Sequence, residues 1–158
     1  MTRWLYAALA LQVLFFAGWG ARLLTQEWLQ PGNDPHDLFP ASADMRDENG
    51  DELVTAYATH RPDGLWSLLL INKDPNRSFD ANLVFRIGGS AGARSFTGNV
   101  DVYQYSRKQY ELGGPANNPY PVKAEEPEHR RIDLSKTESR VTLLPYSLTI
   151  VRGNLSSF

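Results

Sequence analysis

The amino-acid sequence predicts an all-β protein, an antiparallel β-sandwich with one N-terminal apolar α-helix. Three observations carry that expectation. Short apolar runs alternate with turn signals at regular spacing, Asn49-Gly50 and Arg61-Pro62-Asp63-Gly64 being the clearest. One run, LWSLLLIN from Leu65 to Asn72, is nearly continuous in apolar side chains and suits a central strand. The stretch WLYAALALQVLFFAGWGA, Trp4 to Ala21, carries only Gln12 as a strongly polar residue.

That first stretch lies between Arg3 and Arg22 and is long enough to span a bilayer. Three accounts compete for it. As a signal peptide it has a short basic start, Met1 to Arg3, and a poor cleavage site at Gly18-Trp19-Gly20. As an uncleaved anchor it would place Trp4 to Trp19 in contact with a membrane. As a buried helix it continues into ARLLTQEWLQ, where Leu23, Leu24 and Trp28 make one face and Arg22, Gln26, Glu27 and Gln30 another. Pro31-Gly32 ends it, because proline disfavours a helical predecessor and glycine suits a left-handed cap. The chain is exported or membrane-associated under the first two accounts and cytoplasmic under the third.

Strands follow. Leu38 to Ala41 precedes a hairpin turn at Asp47-Glu48-Asn49-Gly50, which enters LVTAYAT at Leu53 to Thr59. There Leu53, Thr55, Tyr57 and Thr59 share one face and Val54, Ala56 and Ala58 the other. After the central run, Lys73 to Asn76 turns the chain, and Phe79 to Ile87 alternates Leu83, Phe85 and Ile87 against Asn82, Val84 and Arg86. A glycine-rich segment leads to NVDVYQY at Asn99 to Tyr105. The polar stretch from Ser106 to Arg130, interrupted by Pro115, Pro119, Pro121 and Pro127, is expected to be a loop. Strands at Arg140 to Leu144 and Tyr146 to Gly153 flank Pro145.

Composition bounds the function. A chain of 158 residues with 42% hydrophobic residues supplies one core. Its net charge of -2 offers no basic field for a phosphate backbone, so nucleic acid is not an expected partner. Cysteine is absent, which removes thiolate chemistry and disulfides.

The motifs that could carry chemistry each have a plainer reading. Gly88-Gly89-Ser90-Ala91-Gly92 matches a nucleophile elbow, but no helix follows it, and His129 is the only later histidine. Asp44, Asp47, Asn49 and Asp51 resemble a calcium loop, with Gly50 one position early and no closing glutamate. His36, His60 and His129 have no ligand-like spacing, and no metal or cofactor is expected. Glu125, Glu126 and Glu128 beside Arg130 and Arg131 read as a solvated charge run. Asn76-Arg77-Ser78 and Asn154-Leu155-Ser156 are glycosylation sequons. Among the aromatics, Tyr103 and Tyr105 read as strand packing, while Tyr110, Tyr120 and Trp66 are the rings on which a sugar could stack.

Three stretches, GARLLTQEWLQPG at Gly20 to Gly32, LVTAYATHRPDGLWSLLLINKDP at Leu53 to Pro75 and LLPYSLTIVRG at Leu143 to Gly153, resemble a known arrangement. They are similar to the C-terminal end of glycoside hydrolases in which a (β/α)8 barrel precedes a β-sandwich, the family 39-like xylosidases and iduronidases and related arabinofuranosidases. The resemblance implies that residues 1–32 are the last barrel helix and that residues 33–158 are the sandwich, which favours the buried-helix account. It carries over no catalytic residue, because the family's glutamates sit on barrel strands. The chain is thus expected to be a non-catalytic accessory domain, structural support for a catalytic barrel supplied in cis in relatives or by a separate chain. The competing expectation is an exported or membrane-tethered module that binds polysaccharide through Tyr110, Tyr120 or Trp66.

Overall fold

A computed structural model describes residues 18–86, 92–115, 117–118, 120–134 and 140–156. Over these residues the protein is all-β and sandwich-like, with one short helix among the described residues. Its main sheet has six strands in the order β1 (Asp37–Phe39), β2 (Val54–His60), β3 (Trp66–Asn72), β10 (Ser147–Leu155), β5 (Phe96–Tyr105) and β8 (Glu128–Asp133). Every neighbouring pair is antiparallel. A second layer pairs β4 (Phe79–Asn82) with β9 (Arg140–Leu143), and β6 (Tyr110–Gly113) pairs with β7 (Tyr120–Ala124) in a separate hairpin.

The turns form as their residues require. Asp47 Oδ1 accepts from the backbone N–H groups of Asn49 and Asp51, and Gly50 takes the positive φ that closes the hairpin. Gly64 does the same after Arg61-Pro62-Asp63, donating its N–H to the Arg61 carbonyl.

Alternation then sorts side chains onto two apolar faces. The inner face joins Val54, Leu68, Leu70, Val100, Val102 and Val151 to Ala81, Val141 and Leu143 of the second layer. The outer face holds Leu69, Tyr105 and Ile150, covered by Leu23 with Trp19, Leu24 and Trp28 packed around it. β3 contributes to both clusters, which is why its sequence is apolar without alternation.

Two of the stretches quoted above meet in space. Asn72, buried at the end of β3, donates through Nδ2 to the carbonyls of Arg77 (2.9 Å) and Leu144 (2.8 Å) and accepts the Asp74 N–H at Oδ1 (3.0 Å). Asp74 accepts in turn from the N–H groups of Asn76 and Arg77, and its carbonyl takes the N–H of Tyr146. Ile71-Asn72-Lys73-Asp74 is therefore tied to Leu144-Pro145-Tyr146, the corner at which the chain leaves the second layer for the centre of the main sheet.

Three expectations are corrected. The 106–130 region is not a plain loop: it carries β6, β7 and the start of β8. Its prolines are tolerated because β6 and β7 form a two-stranded ribbon outside the main sheet, with Pro121 beside a register irregularity. The strand expected over Phe79 to Ile87 stops at Asn82, after which Phe85 makes one bridge to Arg94. The burial alternation persists there, Leu83 and Phe85 inward and Asn82, Val84 and Arg86 outward. Finally, among the described residues the helix is α-helical over residues 18–22 and is wound as a π-helix over Leu23–Trp28. The Leu29 N–H reaches back to the Leu24 carbonyl, and the Thr25 hydroxyl donates to the Ala21 carbonyl. The Ser90 motif and most of the Trp4 to Ala21 stretch lie outside the described residues.

Gly153 sits where the β10–β5 register shifts, and a Cβ there would lie 2.7 Å from Cγ1 of the fully buried Val100. Valine is stiff at χ1 and cannot swing away. Gly153→Ala is expected to destabilise the fold by about 1–3 kcal/mol through overpacking, measured as a lower urea midpoint with unchanged slope.

Candidate functional site

The most elaborated region lies where the helix meets the outer face of the main sheet. Leu23 is only 2% exposed and inserts among Leu69, Tyr105 and Ile150. A helix end leaves carbonyls without partners, and two arginines from the sheet supply donors. Arg61, 5% exposed, extends from the β2–β3 turn and donates through Nη1 to the carbonyls of Glu27 (2.7 Å) and Leu29 (3.2 Å). Asp63, two residues on in the same turn, neutralises it with a 2.8 Å ion pair. Burial pushes the Asp63 carboxyl up, but its hydrogen bonds from Arg61 and Leu65 outweigh that and hold it below the ordinary value.

Arg152, on β10, donates through Nη1 to Glu27 Oε2 (3.0 Å) and through Nη2 to the Tyr103 hydroxyl (2.9 Å). In the antiparallel register Arg152 stands opposite Asp101 of β5, and Asp101 opposite Arg131 of β8, so charges alternate across three strands. Asp101 lies 3.0 Å from His129 Nε2 and 3.3 Å from Arg131 Nε. Burial raises the Asp101 carboxyl, yet the hydrogen bonds from His129 and Arg131 and the charges of Arg131 and Arg152 bring it below its ordinary value. Tyr103 is pushed up, chiefly by burial. Its ring stacks on His129 at 4.4 Å with planes 8° apart, and the Arg152 guanidinium carbon lies 5.2 Å from the ring centre. Beside this network a pocket of about 310 Å³ opens between helix and sheet, reached by Trp19, Arg22, Glu27, Tyr103, Glu126 and His129.

A second cavity, about 810 Å³, lies on the inner face, between β2 and β3 and the segments 39–46 and 81–86. Trp66 is there, half-buried against Phe39 (4.8 Å), His60 (5.0 Å) and Phe85 (5.5 Å). Tyr110 stacks on Tyr105 (5.2 Å) in the outer cluster. Tyr120, 47% exposed, lies over Gly113 and Gly114. Tyr110 stands opposite Ala124 and Tyr120 opposite Gly113, at the two ends of the hairpin. The three rings thus do not converge on one surface. The histidines are dispersed too: His36 accepts the Gln30 N–H just beyond the helix, and His60 lies 3.9 Å from Asp37. Among the described residues no three His, Asp or Glu side chains gather as metal ligands would.

No protein-family model matches the chain, and no curated relative reaches significance. Solved structures do resemble it. A family 51 α-L-arabinofuranosidase from Thermotoga petrophila matches at 17% identity and a TM-score of 0.42, covering 66% of this chain and 20% of that one. A bifunctional glucanase-xylanase from a metagenome library matches at 21% and 0.42, covering 66% and 16%. A family 44 xyloglucanase from Paenibacillus polymyxa matches at 15% and 0.36, covering 66% and 17%. The chain spans a fifth or less of the length of these enzymes. These matches are to glycoside hydrolases, among them families 51 and 44, whereas the sequence resemblance was to family 39-like xylosidases and iduronidases and related arabinofuranosidases.

None of the charge network was read from the sequence. Arg61, Arg152 and Asp101 are far apart in the chain, and only strand register brings them to one end of the helix. Because Asp101 is lowered in the folded state, its pairing stabilises the fold above its unfolded value near ~4 and is lost as pH falls through the folded value. The melting-temperature gap between wild type and Asp101→Asn is therefore expected to be full at neutral pH, to narrow as the pH falls below about 4 and to close once the pH has passed below the lowered folded value. Calorimetric scans across that range measure it.

Proposed function

We infer that this chain is a non-catalytic β-sandwich accessory domain of a glycoside hydrolase of the family 39-like xylosidase, iduronidase and arabinofuranosidase group, structural support for a catalytic (β/α)8 barrel. Residues 1–32 then serve as the barrel's last helix and residues 33–158 as the sandwich. One observation carries the reading: the outer face of the main sheet is apolar and receives a helix. A sandwich standing alone can leave its outer faces polar. Here Leu69, Ile150 and Tyr105 require cover, and Arg61 and Arg152 are spent on the end of the segment that provides it. Trp19 packs against the same cluster, which favours burial of this segment over membrane contact; among the described residues no helix is long and apolar enough to cross a membrane. The partner this reading implies is the barrel itself.

The test has two arms. The purified full chain should release no nitrophenol from the 4-nitrophenyl α-L-arabinofuranoside, β-D-xyloside or β-D-glucoside, and turnover would overturn the reading. Joined at its helix to a family 51 barrel in place of that enzyme's own sandwich, it should yield a soluble, active hydrolase. A folded sandwich beside an inactive barrel would contradict it.

A further inference from the structure

The main sheet has six strands, and among the described residues the second layer has two, β4 and β9. The cavity of about 810 Å³ on the inner face lies on the side of β4 away from β9. Its floor takes only alternate residues of the main sheet, Val54, Ala56 and Ala58 of β2 and the matching three of β3, which is one sheet face. Its sides take unbroken runs of chain, residues 39–46 and 81–86. Inward Leu83 and Phe85 border it together with outward Val84 and Arg86. A strand seen from its face contributes every second residue, whereas one seen from its edge contributes all of them. The cavity is therefore a slot, with a sheet face below and two chain edges at its sides.

That is the shape of the space a third strand of the second layer would fill. Among the described residues no strand pairs with β4 on this side, and no backbone hydrogen bond crosses from residues 81–84 to residues 39–46. A strand edge presents a row of N–H and C=O groups, which another extended backbone matches group for group. Sheets take up peptides in this way, main-chain pairing giving affinity and alternate side-chain pockets giving specificity. The slot also fixes the side-chain pattern. Its floor is apolar, with room over Ala56 and Ala58, while Asp80 and Asn82 on the opposite side of β4 are exposed. A strand seated beside β4 must then be apolar at every second residue and polar between. Trp4 to Ala17 has no such alternation, being apolar throughout except at Gln12.

We propose that this slot takes up an extended segment of another polypeptide, with alternating apolar and polar side chains, as a third strand of the second layer paired to the free edge of β4. The proposal goes beyond the accessory-domain reading: hydrolysis and the barrel exchange decide that reading, and peptide binding does not.

Calorimetric titration of the full chain with three capped heptapeptides tests it: Lys-Val-Thr-Val-Thr-Val-Lys and its counterparts with isoleucine or phenylalanine in place of valine. At least one should saturate with a Kd on the order of 100 μM. In its presence at least one of the amides of Asn82, Leu83 and Val84 should exchange about tenfold more slowly. Ala56→Leu, which projects into the slot from a half-buried position, should weaken binding about tenfold while shifting the melting temperature by no more than a few degrees. A comparison that needs no altered protein uses the same peptide N-methylated either at its apolar residues or at its threonines, which removes the donors of one edge or the other. At least one of the two versions should bind about tenfold more weakly. Failure of all three heptapeptides to bind would overturn the proposal, as would an unchanged Kd in Ala56→Leu or with both methylated versions. Tighter binding of laurate would make the slot an acyl-chain site, and a dimer of the chain alone that Ala56→Leu dissociates would make its occupant a second copy; either result also overturns it.

Discussion

The two central strands of the main sheet, β3 and β10, are apolar on both faces, and the rest of the architecture answers to that constraint. On one side the need is met by the second layer, through Ala81, Val141 and Leu143. On the other it is met by the helix, through Leu23. Fully burying a leucine side chain contributes about 1.5–3 kcal/mol, so one residue makes the helix matter to the sheet.

Burial of the helix end creates the second demand, that its carbonyls find donors. A carbonyl buried without a partner costs about 1–3 kcal/mol. Arginine suits the task because its several N–H groups can reach two carbonyls and a carboxylate together. Burying a guanidinium is costly unless it is paired, and each arginine has its counter-charge close by: Asp63 for Arg61, Glu27 and Asp101 for Arg152. The pocket beside them follows from the same geometry, because the helix rests on β3 and β10 and stands off from β8.

Local chemistry was legible in the sequence. Asn49-Gly50 and Pro62-Asp63-Gly64 fix their turns through φ and short-range hydrogen bonds, and the unbroken run at Leu65 to Asn72 announces a central strand. What depended on pairing was not. β6 and β7 lack apolar runs and contain proline, so pattern gave a loop where a ribbon exists. The π-winding of Leu23–Trp28 has no periodic signature over six residues. The network of Arg61, Asp101 and Arg152 arises from register, which composition and spacing do not reveal, and the sugar-stacking candidates were chosen by residue type alone, so three rings on different surfaces looked like a set.

The most direct test of this account is native-state hydrogen exchange of the backbone amides of Leu69 and Ile150 in the full chain and in Leu23→Ala. If the outer face depends on the helix, truncating Leu23 removes about 2–5 kcal/mol, and both amides, at the centre of the sheet, exchange at least about thirtyfold faster. Exchange at the wild-type rate in the variant would mean that the sandwich carries its outer face without the helix.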